Sequence, residues 1–296
     1  MNIFKLKTDS NEIFKLTVYN YENQTHKKSP YYDMSGKEGR YYAVCPSCNN
    51  PIQIYKLYKD TTEGQGLHAR HFGKSIRGLA VYNEERYLAC ELSNPESFGG
   101  ETKRKNKEKS NELLTLIKEY PDVLFNEIRK ISGIGFSYKK FDTMLKHFMK
   151  SEGYYYNAIN KFNLPYGFLY MQKSINLYRG FLHKYSPHVN EIKEAIQNSK
   201  YHTVIEEEIK KNIEDYAALD FYLTNHSVKG TEETIELRIV ESAEDYENII
   251  FRKKIPVDKF SFMNKVSKSK DRSSENKDQE KWRQKLQAIV EEYISR

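Results

Sequence analysis

The sequence predicts an α+β protein with an N-terminal β-rich zinc-binding module, followed by a mainly helical domain that carries a small β-hairpin. Three observations predict this class. Apolar residues alternate in short segments before residue 60, they recur at helical spacing between residues 112 and 149, and a Cys-x-x-Cys motif lies among the alternating segments. The chain has 296 residues, enough for two domains of ordinary size. A metal is therefore expected to be needed only locally.

The predicted module covers residues 1–100 and is built from short strands. Alternating or β-branched segments occur at 3–6, 13–19, 41–44 and 52–58. The last of these, Ile-Gln-Ile-Tyr-Lys-Leu-Tyr, has the period-2 pattern of a strand with one exposed face. Polar loops separate the segments, so an antiparallel arrangement is expected.

The predicted helical domain covers residues 101–263 and begins with three helices between 112 and 149. The third has Phe141, Met144, Leu145 and Phe148 on one face, and Gly133 precedes it in a tight turn. Each helix is therefore expected to bury one side against the others.

Helical spacing returns at 167–184, 188–197 and 203–223, which predicts three further helices. Residues 234–240 and 249–255 alternate instead, and they predict the β-hairpin.

The end of the chain has a different composition. Residues 264–280 are almost all Lys, Ser, Asp, Asn and Glu, which predicts a charged, solvated linker. Residues 281–296 predict a C-terminal amphipathic helix, with Trp282, Leu286 and Val290 on its apolar face. That face is expected to dock either on the chain itself or on a partner.

The strongest chemical motif is Cys45-Pro46-Ser47-Cys48, which lies between two predicted strands. Two thiolates on one tight turn supply half of a tetrahedral site, and the motif resembles the half-site of a zinc ribbon or treble clef. His71 and Cys90 complete our preferred set, while His68 with His71 is the alternative that leaves Cys90 in the core. Four protein ligands leave no position for water, so the expected Zn²⁺ is structural.

A second resemblance involves residues 123–156, within the segment 112–156. Two short amphipathic helices flank a glycine turn, and a Gly-Tyr-Tyr-Tyr run follows, so the segment is similar to a winged helix-turn-helix. The resemblance implies a cationic face on its third helix that contacts phosphates. The cations that we expect to contact nucleic acid are Lys103, Arg104, Lys105, Lys139, Lys140 and Lys146.

Charge is unevenly distributed along the chain. The formal net charge is only +7, but residues 103–109 carry five basic groups and one acid. Residues 191–220 carry eight acids and four bases. A localised basic surface is therefore expected to contact a polyanion.

These features predict a zinc-stabilised nucleic-acid-binding protein of bacterial or phage type, with DNA favoured over RNA. The alternative is a protein-interaction subunit, for example of a phage-defence complex. We see no P-loop, Gly-x-Ser-x-Gly or His-Glu-x-x-His motif, so an enzyme is not favoured, although a nuclease with dispersed acids stays open. The chain has neither a secretory signal nor an apolar stretch of membrane-spanning length, so no membrane partner and a cytoplasmic location are expected.

Overall fold

The computed structural model of the chain describes residues 1–35, 39–59, 66–100, 102–105, 107–212, 216–230 and 232–294. These residues combine helices with antiparallel sheets, so the predicted α+β class is confirmed. The chain divides into two compact units. Unit 1 contains Met1–Glu96, Val228–Glu232 and Asp258–Lys270, and unit 2 contains Ser97–Ser227, Glu233–Val257 and Asp271–Arg296.

The helices of the described residues are, in chain order, α1 (Val18–Thr25), α2 (Glu84–Leu88), α3 (Lys107–Glu119), α4 (Pro121–Ser132), α5 (Tyr138–Lys150), α6 (Leu164–Tyr170), α7 (Val189–Gln197), α8 (Ser261–Lys268) and α9 (Lys277–Ile294). The strands are β1 (Ile3–Phe4), β2 (Phe14–Lys15), β3 (Tyr32–Asp33), β4 (Arg40–Val44), β5 (Pro51–Tyr55), β6 (His68–His71), β7 (Ile134–Gly135), β8 (Ile175–Asn176), β9 (Phe181–Leu182), β10 (His202–Ile205), β11 (Glu208–Lys211), β12 (Ala218–Lys229), β13 (Glu232–Ala243) and β14 (Tyr246–Pro256). None of these helices combines the length and the apolar character that crossing a bilayer requires.

Unit 1 is organised around the antiparallel sheet β3-β4-β5-β6, and β1 and β2 form a separate pair. Tyr21 of α1 lies fully buried beside Phe4, with ring centroids 5.8 Å apart. Its hydroxyl donates to the Tyr31 carbonyl at 2.6 Å and accepts from the Tyr42 amide at 3.2 Å. A buried hydroxyl with both functions satisfied fixes α1 to the sheet.

Helix α1 differs from the prediction, which placed a strand at 13–19. Only Phe14–Lys15 pairs as a strand, and Thr17 then caps the helix by accepting a hydrogen bond from the Asn20 amide at 3.1 Å. The threonine cap therefore outweighs the β propensity of the valine and tyrosine that follow.

In unit 2, α4, α5 and α6 pack with α3 and the C-terminal helix α9 around an aromatic core. Phe125 lies 4.9 Å from Phe141 between ring centroids, and Phe148 lies 5.1 Å from Phe168. Gly133 ends α4 with φ of 77°, a conformation that glycine adopts without a Cβ clash. The three helices predicted between residues 112 and 149 are thus present.

Two four-stranded antiparallel sheets complete unit 2, in the orders β10-β11-β9-β7 and β14-β13-β12-β8. The predicted hairpin corresponds to β13 and β14, and it is part of the second sheet. Of the segment predicted as a helix at 167–184, only the first residues belong to a helix, the end of α6, and the short strands β8 and β9 lie in the remainder.

The helix predicted at 203–223 is wrong, because β10, β11 and the first half of β12 occupy the described part of that range. Glu206 and Glu207 form the two-residue turn between β10 and β11, with φ of 50° and 65°. Turns with two positive φ angles usually contain Asn or Gly. The two glutamates therefore conceal the hairpin, and Ile213 lies outside the described residues.

The predicted linker at 264–280 also differs from the structure. Helix α8 extends to Lys268 and α9 begins at Lys277. Between them, Arg272 pairs with Asp122 at 3.0 Å, and Arg283 pairs with Glu275 at 2.8 Å. These ion pairs hold a segment whose composition resembles that of a free chain.

Candidate metal centre and basic surfaces

The first half of the candidate metal centre is the turn that joins β4 to β5. The Cys45 amide donates to the Asn50 carbonyl at 2.9 Å, and the Asn49 amide donates to the Cys45 carbonyl at 3.1 Å. Asn49 adopts φ of 62°, which asparagine tolerates better than most residues. The turn therefore places the thiols of Cys45 and Cys48 on one side.

The second half comes from two separate elements. His71 ends β6, where it lies opposite Ile52 of β5. Cys90 follows α2, whose first turn is capped by Asn83. Because β5 begins just after the turn, strand pairing alone brings His71 towards the cysteine pair.

These four side chains converge on one point, since their ligand atoms all lie within 4.8 Å of one another. Cys45 Sγ lies 3.7 Å from Cys90 Sγ, and His71 Nε2 lies 3.2 Å from Cys48 Sγ and 3.5 Å from Cys90 Sγ.

The observed distances between ligand atoms can be compared with those in a tetrahedral metal site. With metal–sulfur bonds of about 2.3 Å and metal–nitrogen bonds of about 2.0 Å, sulfurs lie about 3.8 Å apart and a sulfur lies about 3.5 Å from a nitrogen. The separations observed at Cys90 agree with these values, and the one between Cys48 and His71 is a few tenths of an ångström shorter. The four residues could therefore hold a metal ion in a tetrahedral shell.

The surroundings of Cys45 and Cys48 shift the pKa values of these two thiols in opposite directions. Burial raises the pKa of Cys45, whereas hydrogen bonds from Cys45, Cys90 and the Asn50 amide lower the pKa of Cys48. A thiolate is thus favoured at one position of a buried cluster. A bound metal cation would displace the remaining thiol protons, and its charge would stabilise the thiolates that result.

The side chain of Asn50 links the turn between β4 and β5 to the start of α2. Its side-chain amide donates to Cys48 Sγ at 3.4 Å and to the Asn83 carbonyl at 2.9 Å. Its side-chain oxygen accepts from the Asn83 amide at 2.6 Å. Such outer contacts hold metal ligands in place. The sequence did not identify Asn50, because only its position two residues after Cys48 could have suggested a role.

His68, the alternative ligand, does not join the cluster. It lies at the opposite end of β6, where its Nδ1 is 2.7 Å from the Gly66 carbonyl and its ring stacks on Tyr55. Residues three apart on a strand lie on opposite faces, so His68 and His71 cannot both point at one ion. The structure therefore brings together the set that contains Cys90.

The predicted basic residues on α5 lie on its exposed side. Lys139 and Lys146 are exposed, Lys140 is half-buried, and Lys150 extends the row. The opposite side of α5 contributes Phe141 and three other apolar residues to the core. Within the described part of the chain, none of these four lysines forms an ion pair with a carboxylate.

The three predicted cations that precede α3 differ in exposure and in their partners. Lys105 is exposed, and Lys103 forms an ion pair with Glu152. Arg104 is buried, and its guanidinium donates to the carbonyls of Tyr156 and Ile159. Arg104 therefore stabilises the chain around it and is not available at the surface.

The winged part of the predicted helix-turn-helix is absent from the described residues after α5. Gly153–Tyr155 form a 3₁₀ helix where the wing was expected, and α6 follows. The Gly153 backbone lies against the Phe148 ring, so a side chain there would clash. This close packing favours a compact turn over an exposed strand.

A cluster that the sequence did not identify lies beside β9 and β11. Lys211 Nζ lies 5.2 Å from the ring centroid of Tyr178 and 5.7 Å from that of Tyr216, and Arg179 stacks over Tyr178 at 5.4 Å. Both tyrosines are exposed at the surface. Cations beside exposed rings are suited to contact bases and phosphates.

The acidic run Glu206–Glu208 forms the β10–β11 turn and the start of β11. Lys193 pairs with Glu207 at 2.6 Å, and Lys210 pairs with Glu208 at 3.4 Å. Apart from the Cys₃His cluster, the described residues contain no group of three or more metal-ligating side chains within reach of one ion.

Comparisons of this chain with protein-family models, with curated proteins and with solved structures gave no match.

Proposed function

We propose that the protein binds nucleic acid and that Zn²⁺ at Cys45, Cys48, His71 and Cys90 stabilises the fold of unit 1. The donor set supports zinc in particular, because three soft thiolates and one imidazole in a tetrahedral shell are its usual structural ligands. With four protein ligands, the ion would have no open position for a substrate.

One observation carries the nucleic-acid proposal, namely the lysine row on α5. Lys139, Lys146 and Lys150 are exposed and have no carboxylate partner among the described residues. At 1.5 Å rise per residue the row spans about 16 Å, enough to neutralise several phosphates of one strand or of a groove edge. The exposed Tyr178 and Tyr216, each beside Lys211, give further support.

A metal assay tests the zinc part. Purified protein should contain about one equivalent of zinc, and its three thiols should resist titration until a chelator is added. Cys90→Ser should lower the zinc content severalfold, whereas Ser47→Ala, inside the same motif, should leave it unchanged. Less than half an equivalent, with freely reacting thiols, would contradict zinc binding.

A binding assay tests the nucleic-acid part. Fluorescence anisotropy with labelled duplex DNA and with RNA of equal length should show binding that weakens steeply with salt. Lys139→Glu/Lys146→Glu/Lys150→Glu should weaken it at least tenfold and reduce the slope of log K against log salt by roughly three.

The matched control is Lys7→Glu/Lys74→Glu/Lys254→Glu. These three lysines are also exposed and make the same change in net charge. An equal loss of affinity in both variants would mean that only net charge matters. Absence of binding by the unmodified protein at low salt would reject the proposal.

A further inference from the structure

The strands of unit 1 have two functionally different ends. Cys45, Cys48 and His71 lie at one end, just after β4, just before β5 and at the last residue of β6. The register pairs Tyr55 of β5 with His68 of β6, so these residues mark the opposite end of the same strands. About four residues of extended chain, roughly 13 Å, separate the ends.

A cavity of about 650 Å³ lies at this second end. That volume falls within the range typical of sites for small organic groups, about 300–1,000 Å³. The side chains that matter for its chemistry are three tyrosines and three cations: Arg40, Tyr41, Tyr55, Lys56, Tyr58 and Lys59.

The rings of Tyr55 and Tyr58 are held in place and partly exposed, with Arg70 over the Tyr55 ring at 5.7 Å and Lys27 over the Tyr58 ring at 5.3 Å. Tyr55 is 38% exposed and stacks on His68 with the planes 15° apart, while Tyr58 is 48% exposed and meets Tyr41 edge-on. The Tyr58 hydroxyl donates to Glu22 at 2.7 Å. Rings that are already fixed lose little conformational entropy when a ligand stacks on them.

The cations of the cavity are not in direct contact with carboxylates of the described residues. Within the residues described for this structure, Arg40, Lys56 and Lys59 form no ion pair. Asp33 lies opposite Arg40 in the register of β3 and β4 and partly offsets its charge, although its carboxylate accepts from the amide and hydroxyl of Ser35. Lys56 and Lys59 have no such acid opposite them among the described residues. An anionic group in the cavity would therefore meet positive charge.

Aromatic faces beside unpaired cations match the chemistry of a base attached to a phosphate. We infer that this cavity binds a single-stranded segment of nucleic acid, with bases on Tyr55 and Tyr58 and phosphates near Arg40, Lys56 and Lys59. The inference rests on the proposed function and specifies the ligand class. Duplex DNA is not the ligand here, since the faces of its bases are covered by stacking and cannot reach rings within a cavity.

The metal end supports the cavity end through the shared strands. Loss of the ion would release the turn between β4 and β5 and the end of β6, and with them the register that pairs Tyr41 of β4 with Ile54 of β5 beside the cavity. Single-strand binding should therefore require the metal.

The test compares a labelled 15-nucleotide single strand with a duplex of equal length by fluorescence anisotropy. Tyr55→Ala/Tyr58→Ala should weaken single-strand binding at least tenfold and change duplex binding less than twofold. Tyr55→Phe/Tyr58→Phe should restore most of the affinity, because the ring faces are retained. Tyr19→Ala is the matched control, since Tyr19 is 74% exposed in unit 1 but does not line the cavity.

The outcomes separate the two proposals. Duplex binding that depends on the α5 lysines, with single-strand binding unchanged in Tyr55→Ala/Tyr58→Ala, would overturn the cavity and keep the proposed function. Failure of the unmodified protein to bind either ligand would remove both. A free nucleoside monophosphate can be added as a competitor. If it binds as tightly as the strand and displaces it, the cavity binds a mononucleotide and the assignment to a strand is wrong.

Retained zinc content and amide-exchange protection in the alanine variant show that it is folded. If the variant has lost either, Arg40→Glu/Lys59→Glu, two exposed positions, replaces it with the same expected loss.

Discussion

The two units complete their folds in different ways. In unit 1, separate elements meet at the Cys₃His cluster, at one end of a small sheet. In unit 2, α9 returns from the end of the chain and covers the helices, burying Leu286 and Val290 and placing Trp282 against Phe125.

Under the proposed function, the fold of unit 1 depends on an ion and the fold of unit 2 depends on buried apolar area. This burial also lowers the support for α9 as the site of a partner, because its apolar face is already covered within unit 2. Trp282 is the single tryptophan of the chain, so its fluorescence reports on unit 2 alone.

Removal of the metal is the largest expected perturbation. Binding of a structural zinc contributes about 10–16 kcal/mol, as much as the whole stability of a typical domain. A chelator should therefore abolish amide-exchange protection in β4, β5 and β6. The midpoint of denaturant unfolding followed by Trp282 fluorescence should stay nearly unchanged, and simultaneous loss of both signals would show that the two units do not unfold independently.

The two histidines of β6 provide the control. His71→Ala should reproduce the effect of the chelator, because it removes a ligand. His68→Ala should leave the zinc content unchanged, since His68 lies outside the cluster. Zinc loss in His68→Ala alone would contradict the ligand set.

Sequence patterns identified the cluster but not the cavity, and there is a physical reason. Metal ligation needs rare residue types, and the chain has only three cysteines, so Cys45, Cys48 and Cys90 were conspicuous. The cavity uses tyrosine, of which the chain has 24, together with cations from separate segments. Only strand register, which pairs Tyr41 with Ile54, brings their neighbours Arg40 and Tyr55 to one cavity.

The secondary structure was also predictable in some segments and not in others. Helices α4 and α5 follow from apolar spacing, because each buries one continuous face. The β10–β11 hairpin does not, because Glu206 and Glu207 adopt left-handed conformations that usually mark Gly or Asn. The conformation of this turn is set by the pairing of β10 with β11, which the sequence of the turn does not reveal.

Truncation of the apolar face of α9 is the second perturbation. Leu286→Ala should lower the free energy of unfolding of unit 2 by about 2–5 kcal/mol, since Leu286 is fully buried. Denaturant unfolding followed by Trp282 fluorescence measures the loss. Leu88→Ala, at an exposed leucine, should change it by less than about 0.5 kcal/mol. Loss of zinc from Leu286→Ala would show that the units are not independent.

Glu241 gives a smaller, pH-dependent effect in unit 2. It is buried and accepts from His202 Nδ1 at 2.8 Å and from the Tyr201 and Lys200 amides at 2.9 Å. Burial acts to raise the pKa of Glu241, but these hydrogen bonds outweigh it and hold the pKa below the ordinary value of 4.5.

Because the folded pKa is the lower one, the carboxylate stabilises unit 2 above the ordinary pKa, and this contribution is lost as pH falls through the folded value. Glu241→Gln should therefore cost about 1–3 kcal/mol at pH 7 and progressively less below about pH 4. Glu247→Gln, at an exposed glutamate, is the control. A cost that is independent of pH would mean that the charge of Glu241 is not the source of stability.

The smallest effect comes from two helix caps, one in each unit. Thr17 accepts from the Asn20 amide at the start of α1, and Ser137 accepts from the Lys140 amide at the start of α5. Either change to alanine should cost about 1 kcal/mol in the metal-loaded protein. After chelation, Thr17→Ala should have no measurable cost, because α1 belongs to the unit that has already unfolded, whereas Ser137→Ala should keep its full cost. Amide exchange in α1 and Trp282 fluorescence for unit 2 measure the two costs, and a Thr17→Ala cost that survives metal removal would show that unit 1 folds without the ion.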